Sequence, residues 1–216
     1  MAEVGGERRR VRMTAAQRRE QVLGVGRALF AERGYDGASM EEVAARAGVS
    51  KPVVYEHFGD KEKLYHAVVD REVRALLEQI TAALTAGHPR RLLEQATLAL
   101  LRYIEEDTDG FRVLMRDSPM MSDGGSFAGL LNEVAHRVQH HVAAGFAARG
   151  YDRGLAELYA QALTGLVAFT GRWWLDVRQP PREVVATHLV NLVWNGLAHL
   201  EHEPHPNVAP ASDPDA

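Results

Sequence analysis

Hydrogen-bond donors and one small apolar side chain gather in a short segment within the first third of the chain. Tyr55 and His57 are polar-tipped donors, and Val53 offers an apolar surface suited to a thymine methyl group. Ser39 and Ser50 bring hydroxyls that bind phosphate oxygens when they lie at the N-termini of helices. Residues of these types are suited to contact with the phosphate backbone and the base edges of DNA.

Two short helices joined by a glycine turn are predicted to position these side chains. Ser39 is a hydroxyl N-cap, and Glu42 follows three residues later at the capping-box spacing. An apolar stripe then predicts a helix of about two turns, formed by Met40, Val43, Ala44 and Ala47. Gly48 suits the left-handed conformation that ends a helix. Ser50 then caps a second helix, with Pro52 in its first turn.

This order of support helix, glycine turn and second helix over residues 39–58 is the layout of a helix-turn-helix. In that motif the second helix enters the major groove of DNA. An ordinary helical hairpin with solvated polar residues is the alternative. Because both caps, the turn glycine and the apolar pattern agree, we favour DNA binding.

Residues 16–76 resemble the N-terminal domain of the tetracycline-repressor (TetR) family. The shared features are Ala28-Leu29-Phe30, Glu32, Gly34-Tyr35, Ala38-Ser39-Met40, Ala47-Gly48-Val49-Ser50-Lys51, Tyr55, His57-Phe58 and Lys61-Glu62. The resemblance implies an all-α homodimer with three DNA-binding helices, followed over residues 77–203 by a larger helical domain for effector binding and dimerisation. It also implies a repressor of a palindromic operator in double-stranded DNA, released when a small molecule binds.

The resemblance further assigns roles to single residues. It implies phosphate contacts for Ser39, Tyr55, His57 and Lys61, and base contacts for Lys51, Pro52 and Val53. Ser50 completes the predicted DNA-binding set because its hydroxyl lies at the N-terminus of the second helix. Glu41 occupies a position where relatives carry a basic or polar DNA-reading residue. An acidic side chain there is either solvent-facing or a reader of cytosine N4, and we place it outside the predicted site.

Composition narrows the class of protein. The chain has 216 residues and no cysteine, which excludes disulfides and thiolate metal sites. No apolar run reaches the length of a membrane span and the N-terminus lacks the apolar segment of a signal peptide. We therefore expect a cytoplasmic, nucleoid-associated protein with no membrane partner. Because the sequence also lacks a GxSxG motif and a phosphate-binding loop, we predict neither an enzyme nor a cofactor.

The net charge of −4 is unevenly divided along the chain. Residues 1–74 carry 14 Lys and Arg against 12 Asp and Glu, whereas residues 75–216 carry 11 against 17. The N-terminal segment is therefore net positive and the remainder net negative. Because local charge governs the attraction to phosphates, the overall acidity is compatible with DNA binding.

Both ends of the chain differ from its centre. Residues 1–15 contain Arg8, Arg9, Arg10 and Arg12 and are predicted to form a flexible basic arm. Such an arm tracks phosphates or enters a minor groove, but a solvated terminus without a DNA contact is an equal alternative. The proline-rich tail, residues 204–216, is predicted to be disordered.

Between these ends the chain is predicted to be helical throughout. Apolar periodicity with Gly and Pro punctuation predicts helices near 60–84, 90–107, 110–117, 124–149, 152–177 and 181–201. The last two carry apolar stripes that suit a four-helix bundle between two copies. The predicted interface residues are Leu166, Trp174, Val185, Leu189, Leu192, Val193 and Gly196. A monomeric helical core is the alternative, but a reader of palindromic DNA is expected to be two-fold symmetric.

A ligand pocket is expected among residues 98–174, which are rich in Leu, Met, Phe and Trp. The resemblance implies this pocket, and the candidate residues are Met115, Met120, Phe127, Phe169 and Trp173. Few charged residues interrupt these stripes, so a largely apolar small-molecule effector is expected. Plain helical core is the alternative, in which case the C-terminal helices serve only assembly or protein partners.

Histidines at helical spacing raise the question of a metal site. His136 and His140 lie four residues apart, beside His141. That spacing binds a metal ion when a third ligand converges. Because Arg137 and Gln139 lie on the same predicted helix, solvated histidines are favoured, and we predict no metal site.

Overall fold

The computed structural model describes residues 13–85, 87–115, 127–201 and 204, which form helices and turns without a β-strand. The helices are α1 (Ala15–Gly37), α2 (Met40–Ala47), α3 (Lys51–Phe58), α4 (Lys61–Ala83), α5 (Pro89–Glu106), α6 (Thr108–Met115), α7 (Phe127–Arg149), α8 (Ala156–Val177) and α9 (Arg182–Ala198). The all-α prediction is confirmed. None of these described helices is long and apolar enough to cross a membrane.

Local signals explain how two of the helices begin or end. Gly34 has φ 74° and ψ 179°, so it interrupts the last turns of α1, as a glycine can without strain. The helix predicted to begin at residue 152 begins at Ala156 instead. Asp152 accepts a hydrogen bond of 2.8 Å from the backbone N–H of Gly154 and starts a 3-10 turn, Arg153–Leu155, before α8. Most of the predicted basic arm and C-terminal tail lies outside the described residues.

The described residues divide into two compact units. Those within Met1–Ala82 and Arg102–Leu130 form the first unit, and those within Ala83–Leu101 and Leu131–Ala216 form the second. In the first unit α1 packs against both α2 and α6. Residues 102–115 therefore join the N-terminal helices, although they follow the domain boundary predicted after residue 76. That functional boundary stays a prediction.

Apolar side chains of α1, α3 and α4 form the core of the first unit. Val22, Val54 and Leu64 are completely buried. Phe30 meets the ring of Tyr65 edge to face with centroids 5.0 Å apart, a favourable aromatic geometry. Because α2 packs against both α1 and α3, the second helix of the motif is held on the rest of the first unit.

A buried carboxylate also lies in the first unit. Glu72 on α4 is only 2% exposed. It accepts hydrogen bonds of 2.9 Å from the Tyr103 hydroxyl and 3.1 Å from Arg71 Nε, and Arg27 Nε lies 3.2 Å from its Oε1. Burial and the neighbouring Glu72 raise the pKa of Tyr103, so the phenol stays protonated and continues to donate. This Glu72 cluster, Arg27, Arg71, Glu72 and Tyr103, joins α1, α4 and α5.

Gly110 allows α6 to close over the Glu72 cluster. A Cβ atom built on Gly110 would lie 2.1 Å from Glu72 Oε2 and 2.5 Å from the Tyr103 hydroxyl. Any larger residue at this position would therefore displace the buried hydrogen bond. Asp107, just before α6, adds an ion pair with Arg27. The absence of a side chain at Gly110 is thus required for α6 to approach the carboxylate.

The second unit buries one face of α8 and one face of α9. The buried face of α8 carries mostly small residues that permit close packing, namely Ala156, Ala160, Thr164, Ala168 and Gly171. Trp174 is also buried, and its Nε1–H donates a hydrogen bond of 2.8 Å to the carbonyl of Pro180. Val185 and Val193 are buried on α9. These three predicted interface residues therefore belong to the core of the protomer.

Candidate nucleic-acid interface

The support helix α2 begins and ends on local interactions. Ser39 Oγ accepts a hydrogen bond of 3.2 Å from the backbone N–H of Glu42, which caps the helix. Gly48 adopts the left-handed conformation with φ 63°, and the N–H of Val49 then bonds the carbonyl of Ala44 at 3.0 Å. The glycine turn therefore has the geometry that the sequence predicted.

The recognition helix α3 is anchored on one face and open on the other. Val54 and Phe58 are buried, and Pro52 occupies the first turn. Lys51, Pro52 and Tyr55 are exposed, whereas Val53 and His57 are half-buried. Helical periodicity thus brings the predicted DNA-contacting residues of α3 to its accessible side.

Ser50 differs from its prediction in one respect. It occupies the N-cap position of α3 with extended backbone angles, but its side chain makes no capping hydrogen bond. The first turn is closed by the backbone, since the N–H of Val53 donates 3.0 Å to the carbonyl of Ser50. Ser50 is exposed, so its hydroxyl is accessible to a ligand such as a phosphate.

Lys51 is paired with a residue of the support helix. Its ammonium donates a hydrogen bond to Glu41 Oε1 and lies 5.5 Å from the centre of the Tyr55 ring. The hydrogen bond from Lys51 lowers the pKa of Glu41, and the same bond raises the pKa of Lys51, so both groups stay charged at neutral pH. Glu41 lies outside the DNA-binding site predicted from the sequence. The sequence contained one sign of the Glu41–Lys51 ion pair, because both residues lie in the first turn of their predicted helices.

Lys61 has internal partners that the sequence did not reveal. Its ammonium donates hydrogen bonds of 3.0 Å to the carbonyl of Tyr35 and 3.2 Å to that of Ala38. It also lies 4.3 Å from the centre of the Tyr35 ring. Lys61 therefore fastens the start of α4 to the end of α1. The phosphate contact predicted for it remains untested.

Two arginines beside the motif are likewise engaged by carboxylates. Arg46 contacts Glu32 at 2.6 Å and Glu42 at 2.8 Å, and Arg33 contacts Glu42 at 2.8 Å. These ion pairs are partly exposed and tie α1 to α2. Cationic side chains around the helix-turn-helix are thus largely compensated within the protein.

Three of the five predicted pocket side chains lie within the described residues, namely Met115, Phe169 and Trp173, and the pocket stays a prediction. Phe169 and Trp173 are 65% and 50% exposed on α8. Met115 is half-buried in the first unit, whereas Phe169 and Trp173 belong to the second. Met120 and the side chain of Phe127 lie outside the described residues. Phe169 and Trp173 are exposed because their positions on α8 lie away from the face that packs inward.

The remaining predicted interface residues lie near the surface of the second unit. Leu192 and Gly196 are exposed, and Leu166 and Leu189 are half-buried.

The histidine pair of α7 lies at the surface. His136 and His140 are exposed, with ring centroids 5.5 Å apart. The part of the chain that the structure describes contains no group of three residues able to hold a metal ion.

An all-α chain with a helix-turn-helix whose second helix is open to solvent has the architecture of a DNA-binding transcriptional regulator. Residues 22–68 match the family described as bacterial regulatory proteins, tetR family, and residues 79–208 match the Tetracyclin repressor-like, C-terminal domain. The chain belongs to the TetR family. The all-α fold and the class of DNA-binding transcriptional regulator expected from the sequence are confirmed.

Individual relatives agree with this assignment. The chain is 33% identical over 202 residues to the HTH-type transcriptional activator FasR of Mycolicibacterium smegmatis, a match that covers 91% of this chain and 90% of that protein. It is 33% identical over 101 residues to the HTH-type transcriptional repressor BepR of Brucella suis, covering 46% and 48%. A TetR-like regulator from Rhodococcus sp. RHA1 superimposes with a TM-score of 0.71 at 27% identity, covering 87% of this chain and 99% of that one. These relatives are regulators rather than enzymes.

Proposed function

We propose that the protein binds a palindromic operator as a homodimer, represses transcription there, and is released by a small, largely apolar ligand. The observation that carries the proposal is a set of large apolar side chains that are exposed on the last two helices. It is formed by Leu158, Phe169 and Trp173 of α8 and by Leu192 of α9, all at least half exposed in the protomer. Large apolar side chains grouped in this way mark an interaction surface.

The spacing of these exposed side chains supports a symmetric partner. On α8 the residues Leu158, Phe169 and Trp173 recur at helical intervals, and Ala162 between them is also exposed. A two-fold pairing of α8 and α9 from two copies would cover the same face on each protomer. It would also present two α3 helices to the two halves of a palindrome.

Ligand release rests on the C-terminal family match and on the apolar composition of residues 98–174. The alternative is a DNA-binding dimer without an effector, whose C-terminal helices serve only assembly or protein partners.

Activation is a second candidate for the regulatory outcome. The specific observation in its favour is that FasR, which matches 91% of this chain, is named as an activator. The same DNA-binding geometry serves either outcome, because the position of the operator relative to the promoter decides whether polymerase is blocked or assisted. A reporter placed behind the gene's own upstream DNA distinguishes them: repression requires lower expression when the protein is present.

Selection on randomised DNA tests the assignment of α3 as the reading helix. Wild-type protein should enrich an inverted repeat. Lys51→Ala and Val53→Ala should change the preferred bases, because removing a specific base contact costs about 1–3 kcal/mol of discrimination. Lys63→Ala is a matched control, because it removes a cation from α4 that is 71% exposed and paired with Asp60. Unchanged base preferences in both α3 variants would contradict the assignment.

The coupling between ligand binding and operator binding provides a test of the proposed effector. A ligand that weakens operator binding must itself bind less tightly to the operator complex, because the coupling free energy is shared by both sites. Apolar metabolites should first be screened for a rise in melting temperature. Each compound that binds is then titrated by calorimetry with and without operator. Equal affinity in the two titrations would show that the compound is not an inducer, and a screen without any binder would favour the effector-free alternative.

A further inference from the structure

The ion pair between Glu41 and Lys51 connects the two helices of the motif at their N-terminal turns. Glu41 lies in the first turn of α2, and Lys51 is the first residue of α3. Their side chains are 58% and 51% exposed, so DNA approaching α3 would meet both. A carboxylate in this position repels phosphates. Glu41 on the DNA-facing side would therefore weaken DNA binding if it acted through its charge alone.

We propose that Glu41 is a specificity-determining residue that neutralises Lys51 in the free protein and thereby suppresses binding to non-specific DNA. While the pair is closed, Glu41 and Lys51 together have no net charge, so Lys51 does not neutralise a phosphate or release a counterion from the backbone. The inference rests on the assignment of α3 as the reading helix.

The operator would open the pair by offering a better partner. A lysine ammonium donates well to the O6 and N7 acceptors of guanine in the major groove. Exposed ion pairs are weak in water, so a specific base contact is able to replace this one. The Tyr55 ring, 5.5 Å from the ammonium, keeps Lys51 over the exposed side of α3 and close to where a base edge would lie. The Glu41–Lys51 ion pair therefore opens on the DNA sequence that offers this base contact.

Neighbouring charges strengthen this interpretation. Glu42, next to Glu41, is already engaged by Arg33 and Arg46. Lys61 is engaged by backbone carbonyls of α1. Because Arg33, Arg46 and Lys61 are held by these internal contacts, the release of Lys51 measurably strengthens the attraction between the motif and any phosphate backbone.

The test compares wild type with Glu41→Gln on two duplexes over a range of salt concentrations. One duplex is the inverted repeat obtained by selection, and the other is a scrambled sequence of equal length. Glu41→Gln should tighten binding to the scrambled duplex about three- to tenfold and steepen its salt dependence by about one unit, because one more cation reaches the phosphates. The ratio of specific to non-specific affinity should fall correspondingly.

Two controls separate the pair from a general change of charge. Glu32→Gln removes one negative charge and an exposed ion pair with Arg46 at 2.6 Å, but it leaves Lys51 and Glu41 intact. It should change the salt dependence less than Glu41→Gln does. In a Lys51→Gln background, Glu41→Gln should no longer steepen the salt dependence. A melting curve for each variant confirms that it is folded.

The outcomes distinguish this inference from the proposed function. An unchanged salt dependence for Glu41→Gln, with wild type still preferring the selected repeat, overturns the inference and leaves the proposed function intact. Loss of a cytosine preference at one position, without a change in salt dependence, also overturns it and makes Glu41 a direct base reader. A wild-type protein that prefers no duplex contradicts both.

Discussion

Glu72→Ala is expected to lower the free energy of unfolding by about 3–5 kcal/mol, the cost typical of removing one partner from a buried ion pair. The substitution leaves the Arg27 and Arg71 guanidinium groups and the Tyr103 hydroxyl without the carboxylate they share. Tyr103 is the most buried of these groups, at 1% exposed, whereas Arg27 keeps its ion pair with Asp107. Urea denaturation followed by circular dichroism measures the decrease in stability.

A matched control and a double-mutant cycle make this prediction specific. Glu78→Ala removes an exposed glutamate from the same helix, α4, and should change stability by less than about 0.5 kcal/mol. In the cycle, Tyr103→Phe should destabilise wild type but have a smaller effect in the Glu72→Ala background, because the two groups share a hydrogen bond of 2.9 Å. Equal effects of Tyr103→Phe in both backgrounds would show that the buried hydrogen bond contributes nothing to stability.

If the protein is the homodimer proposed above, Leu192→Glu is expected to convert it to a folded monomer. Each copy would lose a leucine from the interface, at about 1.5–3 kcal/mol per side chain. Since symmetry doubles this effect, the dissociation constant should rise at least about a hundredfold. Leu192 is 60% exposed in the protomer, so the substitution spares the fold. Sedimentation velocity over a range of concentrations measures the shift.

The structure also decides which leucine makes the cleaner test. Leu189 is half-buried, so a glutamate there would disturb the protomer as well as an interface. Leu84→Glu is the control, because Leu84 is an exposed leucine just beyond α4 and outside the α8 and α9 face. Leu84→Glu should leave the association state unchanged. If Leu192→Glu remains dimeric while retaining its helicity, the two copies associate through another surface.

The sequence alone determined the helices of the DNA-binding motif because their signals are local. Ser39 caps α2 through a bond three residues away, and Gly48 ends it through its own backbone conformation. Val54 and Phe58 lie on the same side of α3 because they are four residues apart, and both are buried. Interactions of this range depend on spacing along the chain, which the sequence contains directly.

Only the tertiary structure decided which of several apolar stripes is buried. Trp173 and Trp174 are neighbours of the same type. The apolar stripe predicts Trp174 in the dimer interface, whereas the resemblance to the TetR family implies Trp173 in the ligand pocket. The structure buries Trp174 against Pro180 and leaves Trp173 half exposed. A helix turns by about 100° per residue, so adjacent side chains must face different surroundings. Which face points inward depends on the neighbouring helices.

The partners of charged residues were also decided only by the fold. Lys61 bonds carbonyls 26 and 23 residues away, and Tyr103 reaches Glu72 across 31 residues. In the sequence Glu72 is an ordinary acidic residue of a polar helix, with no local sign that it is buried. Because a charge is tolerated in the interior only where distant groups converge on it, its role is determined by the packing of α1, α4, α5 and α6 rather than by its neighbours in the chain.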